Sequence, residues 1–336
     1  MKKRGKIKLF SMILVLLMFS ISSSLLFSIN QVNGRITTEV KTFGLLVDQF
    51  APSTRAENNY DCNANEFKNS LIDIGWSSDS FSYLYGDDSI TIANLKEEMD
   101  KLEDTVDKND VVIVFFATHG YLCLRDILDF NSWFHKEFLE IPTDYKILLI
   151  DSCHAGEFIE PLLQYSTENS FYAMGSVAAN EFGIAFTPDD SDEGWPYSES
   201  EFYGIISSHF WAATLTNSSA DANADDIISM TEMYDYSLPI IKKIYAEVFI
   251  EDPDLAEFIE TETGYTDDYP NPVVIENLAS NFSLYKDYLD ANIEPLETPN
   301  NGKFIAIFVP LGSVLFTIFV ILPMADKQKK KGLKEN

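Results

Sequence analysis

Residues 111–117, Val-Val-Ile-Val-Phe-Phe-Ala, contain no polar side chain and end abruptly on Thr118-His119-Gly120. A strand with one face in water alternates polar and apolar residues; a run without alternation must be covered on both faces. That condition belongs to the central strands of a parallel sheet sandwiched between helices, and it excludes a half-solvated β-meander. A second run of the same kind, Lys146-Ile-Leu-Leu-Ile150, ends on Asp151-Ser152-Cys153-His154-Ala155-Gly156.

The neighbouring segments fit this frame. Thr42–Val47 and Phe171–Gly175 have strand character, and Asn65–Ile74, Ile92–Leu102, Ile127–Phe138 and Glu157–Tyr165 carry helical spacing. Strands alternating with helices predict an α/β fold with a mostly parallel sheet and helices on both faces. An acidic loop, Thr187–Ser200, precedes two further helical segments, Gly204–Leu215 and Ser229–Phe249. Ligands of such sheets sit beyond the carboxyl ends of the strands, which is where His119 and Cys153 fall.

Consecutive strands are usually neighbours, so the two tips are expected side by side. A thiol just before a helix faces unpaired N–H groups and the positive end of the dipole, an expectation of a stabilised thiolate. A nearby imidazole can take the thiol proton and return it to a leaving amine. Gly120 permits close backbone approach, and its N–H together with that of Cys153 is placed to hold an oxyanion. A cysteine alone is more often a small buried hydrophobe, and a histidine alone a hydrogen-bonded structural residue. Their joint occurrence at successive strand ends favours chemistry. His154, His135 and His209 are expected in structural roles, and no zinc-ligand spacing occurs.

The Thr118-His119-Gly120 and Asp151-Ser152-Cys153-His154-Ala155-Gly156 pair closely resembles that of the caspase-like cysteine peptidases, metacaspases above all, and more distantly legumain and the catalytic subunit of the GPI transamidase. The likeness extends from about Lys41 to Leu278. It implies a caspase-like fold in which His119 is the general base and Cys153 the nucleophile of a peptidase acting through an acyl-enzyme. It also implies that Asp151, two residues before the cysteine, lines the pocket for the side chain preceding the cut, as in metacaspases that prefer Arg or Lys. Asp61 occupies a segment resembling the legumain region that carries a pocket arginine. Two carboxylates would favour a cationic guest. The alternatives are that Asp61 is a solvated loop residue, or that Arg55 turns the preference toward Asp.

The stretch Asp221-x-Asn223-x-Asp225-x-Ile227-x-Ser229-x-x-Glu232 has EF-hand spacing, with Asp226 where the sixth-position glycine belongs. Calcium is the one cofactor this suggests; the chemistry itself requires none. The competing reading is a helix start in which Ser229 and Glu232 form a capping box.

Charge sets the remaining expectations. The formal net charge is -29, which argues against nucleic-acid binding. Five of the 24 basic residues precede an apolar run at Leu9–Ile29, and Lys327, Lys329, Lys330, Lys331 and Lys334 follow a second at Phe304–Met324. The first has the pattern of a signal peptide or signal anchor over residues 1–34, with a small-residue site at Val32-Asn33-Gly34. The second, free of charge, is expected as a transmembrane helix about 30 Å long. Basic ends stay inside, so the expected order is a peptidase domain at 41–284 outside the cytoplasm, a stalk at 285–303, the transmembrane helix at 304–324 and a cytoplasmic tail at 325–336. Sequons at Asn217 and Asn281 suit that side. The three cysteines leave one thiol for chemistry or for pairing between chains; a Cys62–Cys123 bridge would leave Cys153 free.

The function expected is a membrane-anchored endopeptidase that takes protein or peptide substrates. Its rivals are a transpeptidase that resolves the acyl-enzyme with an amine, and a non-catalytic scaffold, which retention of both His119 and Cys153 disfavours. No Lys or Arg occurs between Cys153 and Lys242, so an enzyme cutting after basic residues is expected to work without nicking its own acidic loop.

Overall fold

The computed structural model describes residues 39–50, 63–186, 204–264, 268–279 and 281–294, with the backbone of two further strands at 306–311 and 314–319. One compact unit runs from Glu39 to Pro295; the terminal segments form another. The larger unit is built on six strands: β1 (Thr42–Asp48), β2 (Phe81–Tyr85), β3 (Val111–Ala117), β4 (Tyr145–Asp151), β5 (Phe171–Gly175) and β8 (Val273–Glu276). They lie in the order β2-β1-β3-β4-β5-β8. The first five are parallel, and β8 closes one edge antiparallel to β5. Two-residue strands β6 (Ala185–Phe186) and β7 (Gly204–Ile205) pair separately.

Strand periodicity divides the core in two. Leu46, Ile113, Phe115, Ile147 and Leu149 face helices α1 (Asn63–Asp73), α5 (Ile206–Leu215) and α6 (Met230–Glu251), where Phe67, Trp211 and Tyr245 are buried. Leu45, Val112, Val114, Phe116 and Leu148 face α2 (Ile92–Thr105), α3 (Phe130–Glu140) and α4 (Ala155–Ile159), meeting Leu95, Phe134 and Phe158. All seven residues of β3 are buried, as the missing alternation requires. At roughly 1.5–3 kcal/mol for each large apolar side chain, the burial of β3 and β4 anchors the strand ends from which the site hangs.

Local chemistry explains where the elements depart from expectation. The predicted helix at Glu157–Tyr165 is instead α4 followed by a 3-10 segment at Glu160–Tyr165, and Pro161 stands at the break. The helix expected at Ile127–Phe138 begins at Phe130, after Asp129 takes a left-handed φ of +43°. Helix α7 (Pro253–Thr263) starts on an Asp252 cap and stops at Gly264, φ +79°. Part of the expected stalk is folded onto the core: helix α8 (Lys286–Asn292) buries Leu289, and Tyr285 Oη donates to the Leu215 carbonyl at 2.7 Å. The unit therefore extends to Pro295 rather than ending at 284.

Within the run expected as a transmembrane helix, Ala306–Leu311 and Val314–Phe319 are two antiparallel strands, β9 and β10. Their β-branched and aromatic residues favour strands, Pro310 disfavours a helix interior, and Gly312-Ser313 is a two-residue hairpin sequence. Among the described residues no helix is long and apolar enough to cross a membrane. The signal or anchor segment at 1–34 and the tail at 325–336 lie outside the described residues.

Candidate active site

The register of β3 on β4 sets the geometry. Ala117 is the partner of Asp151, and the Thr118 N–H donates to the Asp151 carbonyl at 3.1 Å. His119 and Cys153 thus stand two residues beyond the same rung on adjacent strands. Gly120 packs against the nucleophile's own backbone: a Cβ there would lie 1.9 Å from the Cys153 carbonyl oxygen. Only glycine fits this approach, which brings the two residues expected to form an oxyanion hole together. A π-helical turn, Gly120–Arg125, follows directly, with the Cys123 and Leu124 N–H groups both on the His119 carbonyl at 3.2 Å; such turns concentrate at functional sites.

His119 is exposed, and the Phe50 ring meets its imidazole edge to face at 5.0 Å. Loss of solvent on the protein side holds the imidazole below its ordinary pKa, opposed by the charge of Asp87. Cys153 is half-buried. Its thiol donates to the Gly183 carbonyl at 3.5 Å, and burial, aided by the charge of Asp151, pushes the thiol up despite backbone hydrogen bonding. That direction runs against the expected stabilisation of a thiolate. The helix after Cys153 is only Ala155–Ile159, with His154 in a left-handed conformation (φ +59°) at its cap, and desolvation outweighs what so short a helix supplies.

A short arch, Glu181–Ile184, covers the nucleophile. The His154 N–H donates to the Glu181 carbonyl at 2.6 Å. Tyr269 Oη donates to the Phe182 carbonyl at 2.6 Å, and the Ile184 N–H donates to Tyr245 Oη at 2.9 Å. The buried Glu181 carboxylate accepts from Asn271 N–H and Nδ2 at 2.8 and 2.6 Å. A Cβ on Gly183 would lie 3.1 Å from the Ser152 carbonyl carbon and 3.3 Å from Cys153 N, so the arch packs tightly against the nucleophile's backbone.

Asp151 is completely buried. Its Oδ2 accepts the Ser208 N–H, in the first turn of α5, at 2.5 Å. Desolvation raises its pKa to about 6, against the hydrogen bonds from Ser176 and Ser208 and with the added repulsion of Asp48. Four buried side-chain polar atoms lack a partner among the described residues: Thr118 Oγ1, Asp151 Oδ1, His154 Nε2 and Ser207 Oγ. Each belongs to one of the two strand ends or to the helix start beside Asp151. Native proteins rarely leave such atoms idle.

The other expectations fall as follows. Asp61 and Arg55 lie outside the described residues, as does the loop at 187–203. His154 is turned away from the strand-end pair: its ring stacks on Tyr121 at 3.9 Å, Nδ1 is 3.0 Å from the Ala179 carbonyl, and Arg125 covers the other face of Tyr121 at 3.6 Å. His135 bonds the Phe158 carbonyl at 2.7 Å, and His209 pairs with Glu66 at 2.7 Å. Cys123 is a free, buried thiol, raised to about 12 by desolvation; Cys62, its expected partner, lies outside the described residues.

In the 221–232 loop, Asp221 accepts from the N–H groups of Asp225 and Asp226 at 3.2 and 2.8 Å, Asn223 from Asp225 at 2.9 Å, and Asp225 from Ile227 at 3.0 Å. Asp226 has a left-handed φ of +65°, the conformation that a glycine supplies at this position of a calcium loop. Ser229 and Glu232 form the capping box of α6. Among the described residues the acidic groups whose oxygens converge are Asp100, Glu103 and Glu137, not these.

Gly183, Tyr245, Tyr269 and Ser208 were not anticipated. They reach the site across 30 to 87 positions of chain and carry no local motif. A weak signal was available only for Ser208, in the serine pair beginning a helical stretch.

An α/β sheet with a cysteine and a histidine beyond the same rung of adjacent parallel strands defines the class of protein. A family model described as the caspase domain matches residues 45–231, more than half of the chain. The chain belongs to this caspase-domain peptidase family. No curated protein matches it.

Proposed function

We propose that this chain is a cysteine endopeptidase that cleaves after Arg or Lys, with Cys153 as nucleophile and His119 as general base. The single observation that supports it most is the common register of the two strand ends, with Gly120 closed onto the backbone of Cys153. In this reading the Sγ proton passes to His119 as sulfur attacks the scissile carbonyl carbon. The Gly120 and Cys153 N–H groups stabilise the oxyanion. His119 then gives its proton to the leaving amine as the C–N bond breaks, leaving a thioester. Water, deprotonated by His119, attacks that thioester and releases the acid, restoring thiol and imidazole.

Asp151 would select the cationic side chain. Its orphaned Oδ1 is a buried acceptor, and a guanidinium or ammonium beside it would hold the carboxylate ionised. Asp61 is assigned to the same pocket on its sequence context. Calcium is proposed for the 221–232 loop. Asp221, Asn223, Asp225, Ser229 and Glu232 offer oxygen donors with capacity beyond their present bonds, the Ile227 carbonyl takes the seventh position, and the turn at Asp226 has the required hand. The apolar terminal runs are proposed to hold the chain at a membrane with the peptidase unit on the extracytoplasmic side, on the strength of the basic clusters flanking them.

The test is hydrolysis of fluorogenic peptides ending in Arg, Lys, Asn or Asp, with calcium and with chelator, beside Cys153→Ala. Turnover after Arg and Lys, lost in the variant and reduced by chelator, is expected. Turnover only after Asn or Asp would refute the assignment of Asp151. Release that appears only when an amine acceptor is added would replace the hydrolase with a transpeptidase.

A further inference from the structure

His119 stands past the point where β3 finds main-chain partners on both sides. The Thr118 N–H still reaches β4, at the Asp151 carbonyl. The next amide faces the opposite way, toward β1, as successive amides of a strand do. Strand β1 ends at Asp48, and its last contact with β3 is the Gln49 N–H donating to the Ala117 carbonyl at 2.9 Å. A His119 N–H without a main-chain acceptor would be costly to bury and free to swing when solvated.

The side chain of Gln49 supplies the acceptor. Its Oε1 takes the His119 N–H at 2.9 Å, and its Nε2 donates to Asp87 Oδ1 at 2.7 Å. An ionised carboxylate only accepts and a main-chain N–H only donates, so the two partners fix which end of the amide faces which. Asp87 is itself anchored, because the N–H of the preceding Gly86 donates to the Asp48 carbonyl at 3.0 Å. The neighbouring Phe50 ring lies against the imidazole. The edge of the sheet at β2, the end of β1 and the tip of β3 are joined in one chain of contacts that terminates on His119.

We propose that Gln49 is a positioning residue for His119: its amide, oriented by Asp87, extends the β1–β3 ladder by one rung and fixes the peptide from which the imidazole projects. This rests on His119 being the general base.

The experiment compares Gln49→Leu, the double variant Gln49→Glu/Asp87→Asn, and His119→Ala in the full chain, reading kcat, KM and the pH profile on an Arg peptide. Gln49→Leu keeps the shape and loses both bonds; kcat should fall ~10- to 100-fold with KM within ~2-fold, the scale of a small misplacement of a catalytic group. The double variant exchanges donor and acceptor between the two positions, so the introduced carboxylate accepts from both the His119 N–H and the introduced amide. It should recover kcat and move the acid limb of the profile to higher pH, because the negative charge now lies next to His119. A residue that only props up the fold would leave kcat of the folded Gln49→Leu variant near wild type, while lowering its urea midpoint. Wild-type kcat in Gln49→Leu, with His119→Ala inactive, would overturn the proposal while leaving the base intact. Full activity in His119→Ala would remove both. Should Gln49→Leu not fold, the double variant decides: wild-type kcat with a shifted acid limb supports the proposal, and a kcat that stays low in a folded double variant overturns it.

Discussion

Asp151 is the residue at which stability and function pull in opposite directions. Its carboxyl is raised from 3.8 to about 6 by burial, so the folded chain binds this proton more tightly than the unfolded one. The sign follows directly. The contribution favours the fold fully below pH ~4, is lost as pH rises to about 6, and is constant above; the span is on the order of 3 kcal/mol. Asp151→Asn cannot ionise and escapes that loss. Measured by urea denaturation at pH 4, 5, 6 and 7, the stability of the variant relative to wild type should climb through this window and then level off. A difference that is the same at every pH would show that Asp151 does not titrate there. The local sequence singled out Asp151, His119, Gly120 and Cys153, because each lies within three residues of a strand end that is itself written as an apolar run. It gave no sign that Cys153 lies half-buried beneath the Glu181–Ile184 arch, because Tyr245 and Tyr269, which hold that arch, are far along the chain.

At the scale of elements, the connection that frames the pocket is carried by one side chain. Asn63, fully buried at the start of α1, donates through Nδ2 to the Ile205 carbonyl and accepts the Ile205 N–H, both at 2.8 Å. It completes β7 where β6 ends, just before α5 presents Ser208 to Asp151. Asn63→Leu would leave the Ile205 N–H unpaired and its carbonyl with the Ser208 hydroxyl at 3.3 Å, a cost of about 1–3 kcal/mol. A lower urea midpoint and a higher KM for cationic peptides are expected together. A midpoint within experimental error of wild type would show that Ile205 finds other partners.

The central strands and most helices were legible because period and propensity agree there. Strand β2, Phe-Ser-Tyr-Leu-Tyr, was passed over as a short edge strand after a Ser/Asp-rich turn. Strand β8, four residues long and just after Pro272, signals nothing by itself. Pairing with β5 makes it a strand, and pairing across more than ninety residues is not written in either segment. The start of α4 was found, but its length was overestimated because Pro161 is tolerated in the first turn of the 3-10 segment that continues the same apolar face.

For the molecule as a whole, charge and cleavage preference have a joint consequence. The chain carries -29 formal charges, and its longest stretch around the site, from Cys153 to Lys242, has no basic residue between its ends. An enzyme cutting after Arg or Lys finds no site there. Intact-mass measurement of the active protein should therefore show the Glu39–Pro295 unit unbroken within that stretch. A break between 154 and 241 that is absent from Cys153→Ala would contradict the cleavage preference.

The closure of Gly120 on Cys153 has a further consequence. The two groups proposed to react stand two residues beyond the same rung of adjacent strands in the middle of the sheet. Heat has no partial route to separating them, so inactivation and the melting of the fold should be one event, and an enzyme of this kind should keep its full rate until it has no structure left to lose.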